Sequence, residues 1–290
     1  MKGLKIIVLA KQVPDTRNVG KDAMKADGTV NRGALAAVFN PEDLNALEQA
    51  LRLKEKYAGS TITMLTMGPG RAAELIREGL YHGIDNGILI SDRKFAGSDT
   101  LATSYTLALA IKKLDFDVIL AGRQAIDGDT AQVGPQVAEK LNIPQITYAE
   151  EIIEYKGKQI IVKRRLEKGI EIVSSSLPVL ITVHSSAQAC RPRNSKLFMK
   201  YKHAKTIVEV QDSSEDYIQL QKDRPYLTIQ EISCRDLNPE DKYLGLTGSP
   251  TKVKKIENVV FKAKESKVLT SDNKDIESMM KELLANHTIG

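Results

Sequence analysis

Apolar and polar residues follow two alternating patterns along the first 150 positions of the chain. Short apolar runs predict buried strands, whereas apolar residues three and four positions apart predict helices with one apolar face. One helix is predicted to begin at Pro41, with Asn40 as its N-cap, and to continue through Leu44, Leu47 and Leu51. The predicted strands are residues 5–10, 61–66, 87–90, 118–121 and 144–148.

This alternation predicts an α/β fold, in which helices cover both faces of a doubly wound, mostly parallel sheet. Ligands of such sheets bind beyond the carboxyl ends of the strands. The polar turns after Ala10, Thr66 and Ala121 are therefore expected to lie together at one rim of the sheet. The strand order and the turn chemistry indicate the same candidate binding site.

The pattern changes after residue 150. Three segments with turn residues between them predict a small β-meander, namely 151–155, 159–164 and 170–174. The apolar run 177–183 is expected to return to the main sheet. Residues beyond 185 are polar, lose the alternation of strands and helices, and end in a helical pattern at 276–284.

Two parts of the chain are therefore expected. Residues 1–184 would form the nucleotide-binding core. Residues 185–290 would form a partner-recognition loop and an extended C-terminal arm that packs on another subunit. A self-contained second domain is the alternative, but residues 185–290 supply few apolar side chains for a core of their own.

Composition narrows the possible classes of function. Of the 290 residues, 42% are hydrophobic and 27% are charged, which is typical of a packed globular protein. No run approaches 18 apolar residues, so no membrane-spanning helix is predicted. The N-terminal run 6–9 is too short for a signal peptide, and a cytoplasmic location is expected.

Neither a metal nor a nucleic acid is predicted as a ligand. Cys190 and Cys234 are far apart and the four histidines are scattered, so metal-ligand spacing is absent from the sequence. The net charge of +5 is mild, and most basic residues alternate with acidic ones. The stretch 191–205 differs, because it contains basic residues and no acidic ones. It is either a solvated loop or a surface for an acidic protein or a phosphate-bearing ligand.

The turn GRQAIDGDTAQVGP, residues 122–135, links the predicted strand 118–121 to a predicted helix. Gly122 and Gly128 allow backbone conformations that other residues avoid, including positive φ. Asp129 or Thr130 is the predicted cap of the helix. The first N–H groups of that helix have no partner within it, and together with the helix dipole they favour a bound phosphate.

The polar side chains of this turn are suited to a nucleotide. Arg123 can donate to a phosphate, and Gln132 offers both a donor and an acceptor to a base or flavin edge. One of Asp127 and Asp129 either caps the helix or accepts from ribose hydroxyls. The spacing also fits an ordinary capped turn, and it matches neither a G-x-G-x-x-G fingerprint nor a P-loop. The residues alone indicate an adenine nucleotide or a phosphate at the rim.

Four stretches of the sequence resemble the β-subunits of electron-transfer flavoproteins. LAGRQAIDGDTAQVGPQVAEKLNIPQ resembles them closely, and so do IIVLAKQVPDT, VFNPEDLNALEQALRLKEK and LTMGPGRAAELIREGLYHGID. The four occur in the family's order and cover most of residues 4–147. The combination identifies the chain as similar to that family.

This resemblance implies a heterodimer with an α-subunit, around which the arm of the β-subunit wraps. In simple electron carriers of the family the β-subunit holds AMP. In the electron-bifurcating branch it holds a second FAD that accepts hydride from NADH. Gly128 and the run 130–134 resemble the bifurcating branch, as do SDRKFAGSDTLATS and GSPTKV, which starts at Gly248.

The implied function is electron transfer through FAD. The β-bound FAD would take hydride from NADH and divide the electrons between ferredoxin or flavodoxin and the α-subunit FAD, which feeds a dehydrogenase. This NADH-oxidising activity is expected only in complex with the α-subunit. Two alternatives are a non-bifurcating carrier with a structural AMP and a stand-alone adenine-nucleotide-binding or hydrolysing module.

The family's nucleotide-contacting positions match residues at all three turns of the predicted rim. They are Leu9, Asn40, Met67, Gly68, Ala125, Asp127, Gly128, Asp129, Thr130, Gln132, Val133 and Gly134. Arg123 is a further predicted contact, because its guanidinium can donate to a phosphate. Asn40 has an alternative role as a helix cap. For Val133 the alternative is that its side chain only packs in the core, in which case its backbone alone would bind the nucleotide.

The family's partner-recognition loop is expected after Thr182. Many members have a leucine followed by Asn-x-Pro-Arg there, whereas this chain has Ala187, Gln188 and Cys190 and keeps only Arg191. The sequence resembles the family again at residues 199–202. The predicted recognition residues are Ala187, Gln188, Arg191, Met199, Lys200 and Lys202. The implied partner is an acyl-CoA dehydrogenase or another flavin dehydrogenase, which would bind to an altered docking loop.

Overall fold

A computed structural model describes residues 3–15, 36–211, 217–251 and 268–286. The strands of these residues are β1 Lys5–Leu9, β2 Gln12–Pro14, β3 Ala37–Phe39, β4 Thr61–Met67, β5 Asn86–Ile90, β6 Val118–Gly122, β7 Gln145–Lys156, β8 Gln159–Leu166, β9 Gly169–Ser176, β10 Val179–Val183, β11 Lys205–Thr206 and β12 Thr228–Ile232. The helices are α1 Pro41–Lys56, α2 Ala73–His82, α3 Thr100–Ile111, α4 Val133–Leu141, α5 Ser195–Tyr201, α6 Ile207–Gln211, α7 Tyr217–Asp223, α8 Cys234–Leu237 and α9 Asn273–Ala285.

Ten strands form one sheet in the order β11-β12-β5-β4-β1-β6-β10-β7-β8-β9. The pairs from β11 to β7 are parallel, and β7-β8-β9 is an antiparallel meander. β2 and β3 form a separate antiparallel pair. The fold class predicted from the sequence, α/β with a mostly parallel sheet and a small meander, is confirmed.

The apolar core lies on both faces of the sheet, because the central strands carry apolar residues on both of their faces. In β1, Ile6 and Val8 belong to one buried cluster and Ile7 and Leu9 to the other. The first cluster includes apolar residues of α1 and α2, and the second includes those of α3 and α4. Side chains that alternate along a strand point to opposite faces, so each face receives its own helix layer.

The first strand of the meander is longer than predicted. The predicted strands 144–148 and 151–155 are one strand, β7, whose register shifts near Ala149 and again after Ile152. Its first part pairs in parallel with β10 and its second part pairs antiparallel with β8. A bulge bends a strand and increases its twist, so the irregular register lets one strand serve both neighbours.

No strand is predicted from the sequence beyond residue 185, and here the structure differs. β12 pairs in parallel with β5, and its Ile229 and Ile232 are buried. The strand is short and its apolar residues are interrupted by Gln230 and Glu231, which weakened the signal. The division of the chain at residue 184 remains a prediction.

α9 contains the predicted helix 276–284 and has no buried residue. Ile276, Met280 and Leu284 lie four residues apart on it and are all exposed. Among the helices of the described residues, none combines the length and the apolar character that crossing a bilayer requires.

Candidate nucleotide-binding site

Three predicted turns meet at the carboxyl ends of neighbouring strands. In the sheet β1 lies between β4 and β6, and Leu9 of β1 is level with Leu65 of β4 and Ala121 of β6. The chain builds β4 and β5 on one side of β1 and then crosses to β6 on the other. The crevice between β1 and β6 is therefore the topological switch point, where sheets of this kind bind ligands.

Asn40 occupies the predicted N-cap position of α1, and its backbone oxygen accepts from the N–H of Asp43 at 3.0 Å. Its side chain does not cap the helix. Asn40 Oδ1 accepts from the N–H of Ile126 at 3.1 Å, and Nδ2 donates to the backbone oxygen of Gln124 at 2.9 Å. The side-chain part of the capping prediction is wrong, because the turn after β6 competes successfully for both polar atoms.

Glu42 binds the same turn from the first turn of α1. Its carboxylate accepts from the N–H of Gln124 at 3.0 Å and from the Arg123 guanidinium at 2.9 Å. Nε of Arg123 is buried without a hydrogen-bond partner, and the guanidinium carbon lies 5.8 Å from the centre of the Tyr148 ring. The described side-chain contacts of Arg123 are therefore with α1 and β7.

Asp43 joins two rim turns. Its Oδ2 accepts from the N–H of Lys11 after β1 at 2.8 Å, and its Oδ1 accepts from the N–H of Gly122 at the end of β6 at 3.0 Å. Burial of the carboxyl group raises its pKa from 3.8 to about 7, even though hydrogen bonds from Lys11, Asn40 and Gly122 act in the opposite direction. We call Asn40, Glu42 and Asp43 the α1 clamp.

Gly122 is needed for space rather than for positive φ. A Cβ atom there would collide with the carboxylate of Asp43 and with the backbone of Glu42. The residues of the turn with positive φ are Asp129, at 48°, and Ala131, at 53°, and neither Gly122 nor Gly128 is among them. Neither glycine therefore uses the positive φ that its residue type allows.

The later part of the turn lies over the end of β1. Asp127 accepts from the Lys11 ammonium with both carboxylate oxygens, at 2.7 and 2.9 Å. Asp129 accepts from the side-chain amide of Gln124 at 2.7 Å. Both aspartates are therefore bound to donors of the rim, and Gly128, Asp129 and Thr130 are exposed.

α4 begins without a side-chain cap. The helix starts at Val133, its N-cap is Gln132, and neither Asp129 nor Thr130 caps it, so that prediction was wrong. The neighbouring helix α3 differs, because Asp99 accepts from its N–H groups at Leu101 and Ala102.

The starts of α3 and α4 lie side by side. Thr100 Oγ1 donates to Gln132 Oε1 at 2.8 Å. Gly134, in the first turn of α4, is buried, and a Cβ atom there would lie 2.7 Å from Cγ2 of Thr182. The missing side chain lets the uncapped end of α4 sit close to β10.

Apolar predicted residues line one side of the rim. Leu9 is buried in the cluster against which both Met67 and Val133 pack. Gly68 follows Met67, and its N–H donates to Ile90 at 3.0 Å. Ala125, in the turn after β6, contributes a backbone oxygen that accepts from Asp129 at 2.9 Å. The structure thus brings the predicted nucleotide residues to one rim, with Asn40 on the α1 side and Leu9, Met67 and Val133 on the α3–α4 side.

The predicted recognition loop is bound to α1. Ala187 is buried, and the backbone oxygens of Ala187 and Gln188 accept from Asn45. Arg191 forms two hydrogen bonds of 2.9 Å with the Glu48 carboxylate and a further ion pair with Glu55.

The remaining recognition residues, Gln188, Met199, Lys200 and Lys202, are all exposed. Lys200 lies over the rings of Tyr201 and Tyr226. Their role in recognition remains a prediction.

Four residues of the rim were absent from the sequence-based set, namely Lys11, Glu42, Asp43 and Thr100. In the sequence, Glu42 and Asp43 look like ordinary acidic residues in the first turn of a helix, where they stabilise any helix start. Their distinguishing feature is their position directly after Asn40 and Pro41, in a stretch already singled out for its resemblance. Lys11 and Thr100 carry no separate signal.

Comparison with known proteins agrees with this architecture. Residues 27–213 match the model of the electron transfer flavoprotein domain. The electron transfer subunit gamma of acryloyl-CoA reductase from Anaerotignum propionicum is 42% identical over 99% of this chain and 100% of its own length. Electron transfer flavoprotein subunit beta of Clostridium acetobutylicum is 41% identical, with 87% of both chains covered. Subunit CarD of the caffeyl-CoA reductase-Etf complex of Acetobacterium woodii is 49% identical over 62% of this chain and 68% of its own.

The chain belongs to the electron transfer flavoprotein family. Within that family it is a β-type subunit that functions in electron transfer, as the resemblance of its rim motifs implied.

Proposed function

We propose that the chain is the β-subunit of an NADH-oxidising, electron-bifurcating flavoprotein and that its rim binds FAD. The observation that carries this proposal is the uncapped start of α4 at the switch point, beside the capped start of α3. The free N–H groups of a helix start suit a diphosphate, which contributes negative charge and several acceptors. The exposed Thr130 adds a hydroxyl donor at the same place.

The other rim residues fit the remaining parts of an adenine nucleotide. Leu9, Met67 and Val133 form an apolar wall suited to a planar ring. Asp127 keeps a partly exposed carboxylate at the rim, where it can accept from ribose hydroxyls while Lys11 balances its charge. Gln132 shares one amide atom with Thr100 and has a second for a ring edge.

When bound, FAD supplies acceptance of hydride from NADH and transfer of the two electrons singly, one to ferredoxin or flavodoxin and one to an α-subunit FAD that feeds a dehydrogenase. The chain supplies binding and orientation. The N–H groups of α4 hold the phosphates, and the α1 clamp fixes the shape of the turn that precedes them. Leu9 and Met67 keep water from the apolar side of the rim.

Two surfaces are proposed for partner proteins. α9 presents Ile276, Met280 and Leu284 along one face, and none of its residues is buried in the described part of the chain. A stripe of this spacing suits a groove on another protein, and we assign it to the α-subunit. The exposed Met199 and the loop 187–191 are assigned to a flavin dehydrogenase.

The nucleotide content of the purified heterodimer tests the proposal. Denaturation should release two FAD molecules per heterodimer, one from each subunit. Release of AMP with a single FAD would instead identify a non-bifurcating carrier, in which the same N–H groups hold one phosphate. Release of FAD alone at one per heterodimer, with no AMP, would refute an adenine nucleotide at the rim.

Reduction by NADH separates the two electron-transfer alternatives. Anaerobic NADH should bleach the flavin absorbance of the heterodimer. Ferredoxin or flavodoxin should then be reduced only when the dehydrogenase and its oxidised substrate are also present. A heterodimer whose spectrum is unchanged by NADH would refute the NADH-oxidising version.

A further inference from the structure

The α1 clamp binds the turn after β6 through alternate backbone groups. The N–H groups of residues 122, 124 and 126 donate to side-chain oxygens of the clamp, at 3.0, 3.0 and 3.1 Å. The N–H of Arg123, between them, donates to Val183 of β10 at 2.8 Å. The chain therefore leaves β6 with a sheet neighbour on one side and the first turn of a helix on the other.

Within the described part of the clamp, only the side chain of Asp43 binds both rim turns. It accepts from a turn that follows β1 and from a turn that follows β6, whereas the side chains of Asn40 and Glu42 bind the turn on the β6 side. The backbone N–H of Asn40 donates to the oxygen of Lys11 at 3.0 Å. The carboxylate is 6% exposed, so neither N–H group has ready access to water in its place. One pair of carboxylate oxygens therefore links the two turns to each other.

This geometry is sensitive to the chemistry of residue 43. Both oxygens of the Asp43 carboxyl group accept here, which matches the two N–H donors. An asparagine has one accepting oxygen, and its NH₂ group would face one of the N–H donors. Buried donors without an acceptor are costly, so one turn would move away from α1.

We propose that Asp43 is the positioning residue of the nucleotide site and sets the spacing of the turns after β1 and β6. Asp43 does not touch the nucleotide in this proposal, but acts through Lys11 and Gly122. Lys11 holds Asp127, and Gly122 begins the turn that leads to α4. The inference rests on the proposed nucleotide site at the rim.

The test compares Asp43→Asn with Asp117→Asn in the full heterodimer. Asp117 is a matched control, because its Oδ2 accepts from the N–H of Lys5 at 2.8 Å at the opposite end of β1. FAD and AMP are each titrated into heterodimer stripped of its β-bound nucleotide, and backbone hydrogen exchange is measured along β1 and β6. Asp43→Asn should weaken binding of the nucleotide by about 10- to 100-fold, the factor expected for one unpaired buried donor. Asp117→Asn should bind as the unmodified protein does.

Hydrogen exchange separates positioning from general stability. A positioning role predicts faster exchange at Lys11 and in residues 122–126 of Asp43→Asn, with the centre of β1 unchanged. Faster exchange throughout the sheet, or nucleotide binding within twofold of the unmodified protein, would overturn the proposal.

Two further outcomes remain decisive. If Asp43→Asn fails to assemble, Gly122→Ala is used instead, because its Cβ displaces the Asp43 carboxylate from the other side. It should give the same localised exchange and the same weakening, and normal binding would overturn the proposal. If the unmodified protein binds neither FAD nor AMP, the proposed function fails. Hydrogen exchange at Lys11 and Gly122 of Asp43→Asn still shows whether Asp43 sets the spacing of the turns.

Discussion

Replacing Asp43 with asparagine should remove a pH dependence from the stability of the protein. Burial raises the pKa of this carboxyl group from 3.8 to about 7 in the folded chain. A group with a raised folded pKa binds its proton more tightly in the folded state. Its contribution to the free energy of unfolding is therefore complete below pH 4 and is lost as the pH rises through about 7.

The magnitude follows from the size of the pKa shift. Each pKa unit corresponds to about 1.4 kcal/mol, so the full contribution is about 4 kcal/mol. Between pH 5 and pH 8 the loss is about 3 kcal/mol, because the unfolded side chain is already ionised at pH 5. The asparagine variant has no proton to lose at this position, so its stability should fall less over the same range.

Urea denaturation of the heterodimer at fixed protein concentration, followed by circular dichroism, measures this difference at several pH values. The stability of the unmodified protein minus that of Asp43→Asn should fall by about 3 kcal/mol from pH 5 to pH 8. Two curves that stay parallel across this range would refute the reasoning. So would a difference that grows with pH, because that sign requires a folded pKa below the unfolded value.

Three other substitutions or truncations test separate contacts. Arg191→Ala leaves the buried Glu48 carboxylate without its cation and should lower the free energy of unfolding in urea by about 3 kcal/mol. Arg193→Ala breaks the more exposed pair with Glu78 and should lower it by under about 1 kcal/mol. Equal losses would contradict a larger contribution from the buried pair. Gly134→Ala places a Cβ atom 2.7 Å from Thr182 and should lower the free energy of unfolding by about 1–3 kcal/mol. Gly70→Ala, whose Cβ meets no atom within 4 Å, is its control, and a neutral Gly134→Ala would show that α4 moves freely. Removal of residues 268–290 should weaken association with the α-subunit in analytical ultracentrifugation and leave hydrogen exchange of β1 and β6 unchanged; unchanged association would reject α9 as the docking helix.

Much of the fold follows from short-range patterns. The strands β1, β4, β5 and β6 each differ from the predicted ones by one residue at one end, because each is an apolar run ended by polar or glycine residues. β12 was missed because a five-residue strand with three polar positions resembles a loop. Its identity as a strand depends on pairing with β5, which no local pattern reveals.

The candidate site could be located from the sequence, but its internal contacts could not. The turn 122–135 was identified by its glycines, its aspartates and its place between a strand and a helix. The role of Asp43 depends on contacts with Lys11 and Gly122, which are 32 and 79 residues away along the chain. Such contacts are fixed by the packing of α1 against the sheet. The cap predicted at Asp129 or Thr130 failed for a different, local reason, since the side chain of Gln124 binds Asp129 within the turn.

β12 has a consequence for any attempt to isolate the first 184 residues. In the whole chain its backbone pairs with β5, which would otherwise form the outer strand on that side of the sheet. A fragment ending at residue 184 would leave the N–H and C=O groups of β5 open to strands of other molecules. Such a fragment is expected to aggregate by pairing edge to edge, whereas a chain that retains residues 205–232 protects this side of its sheet.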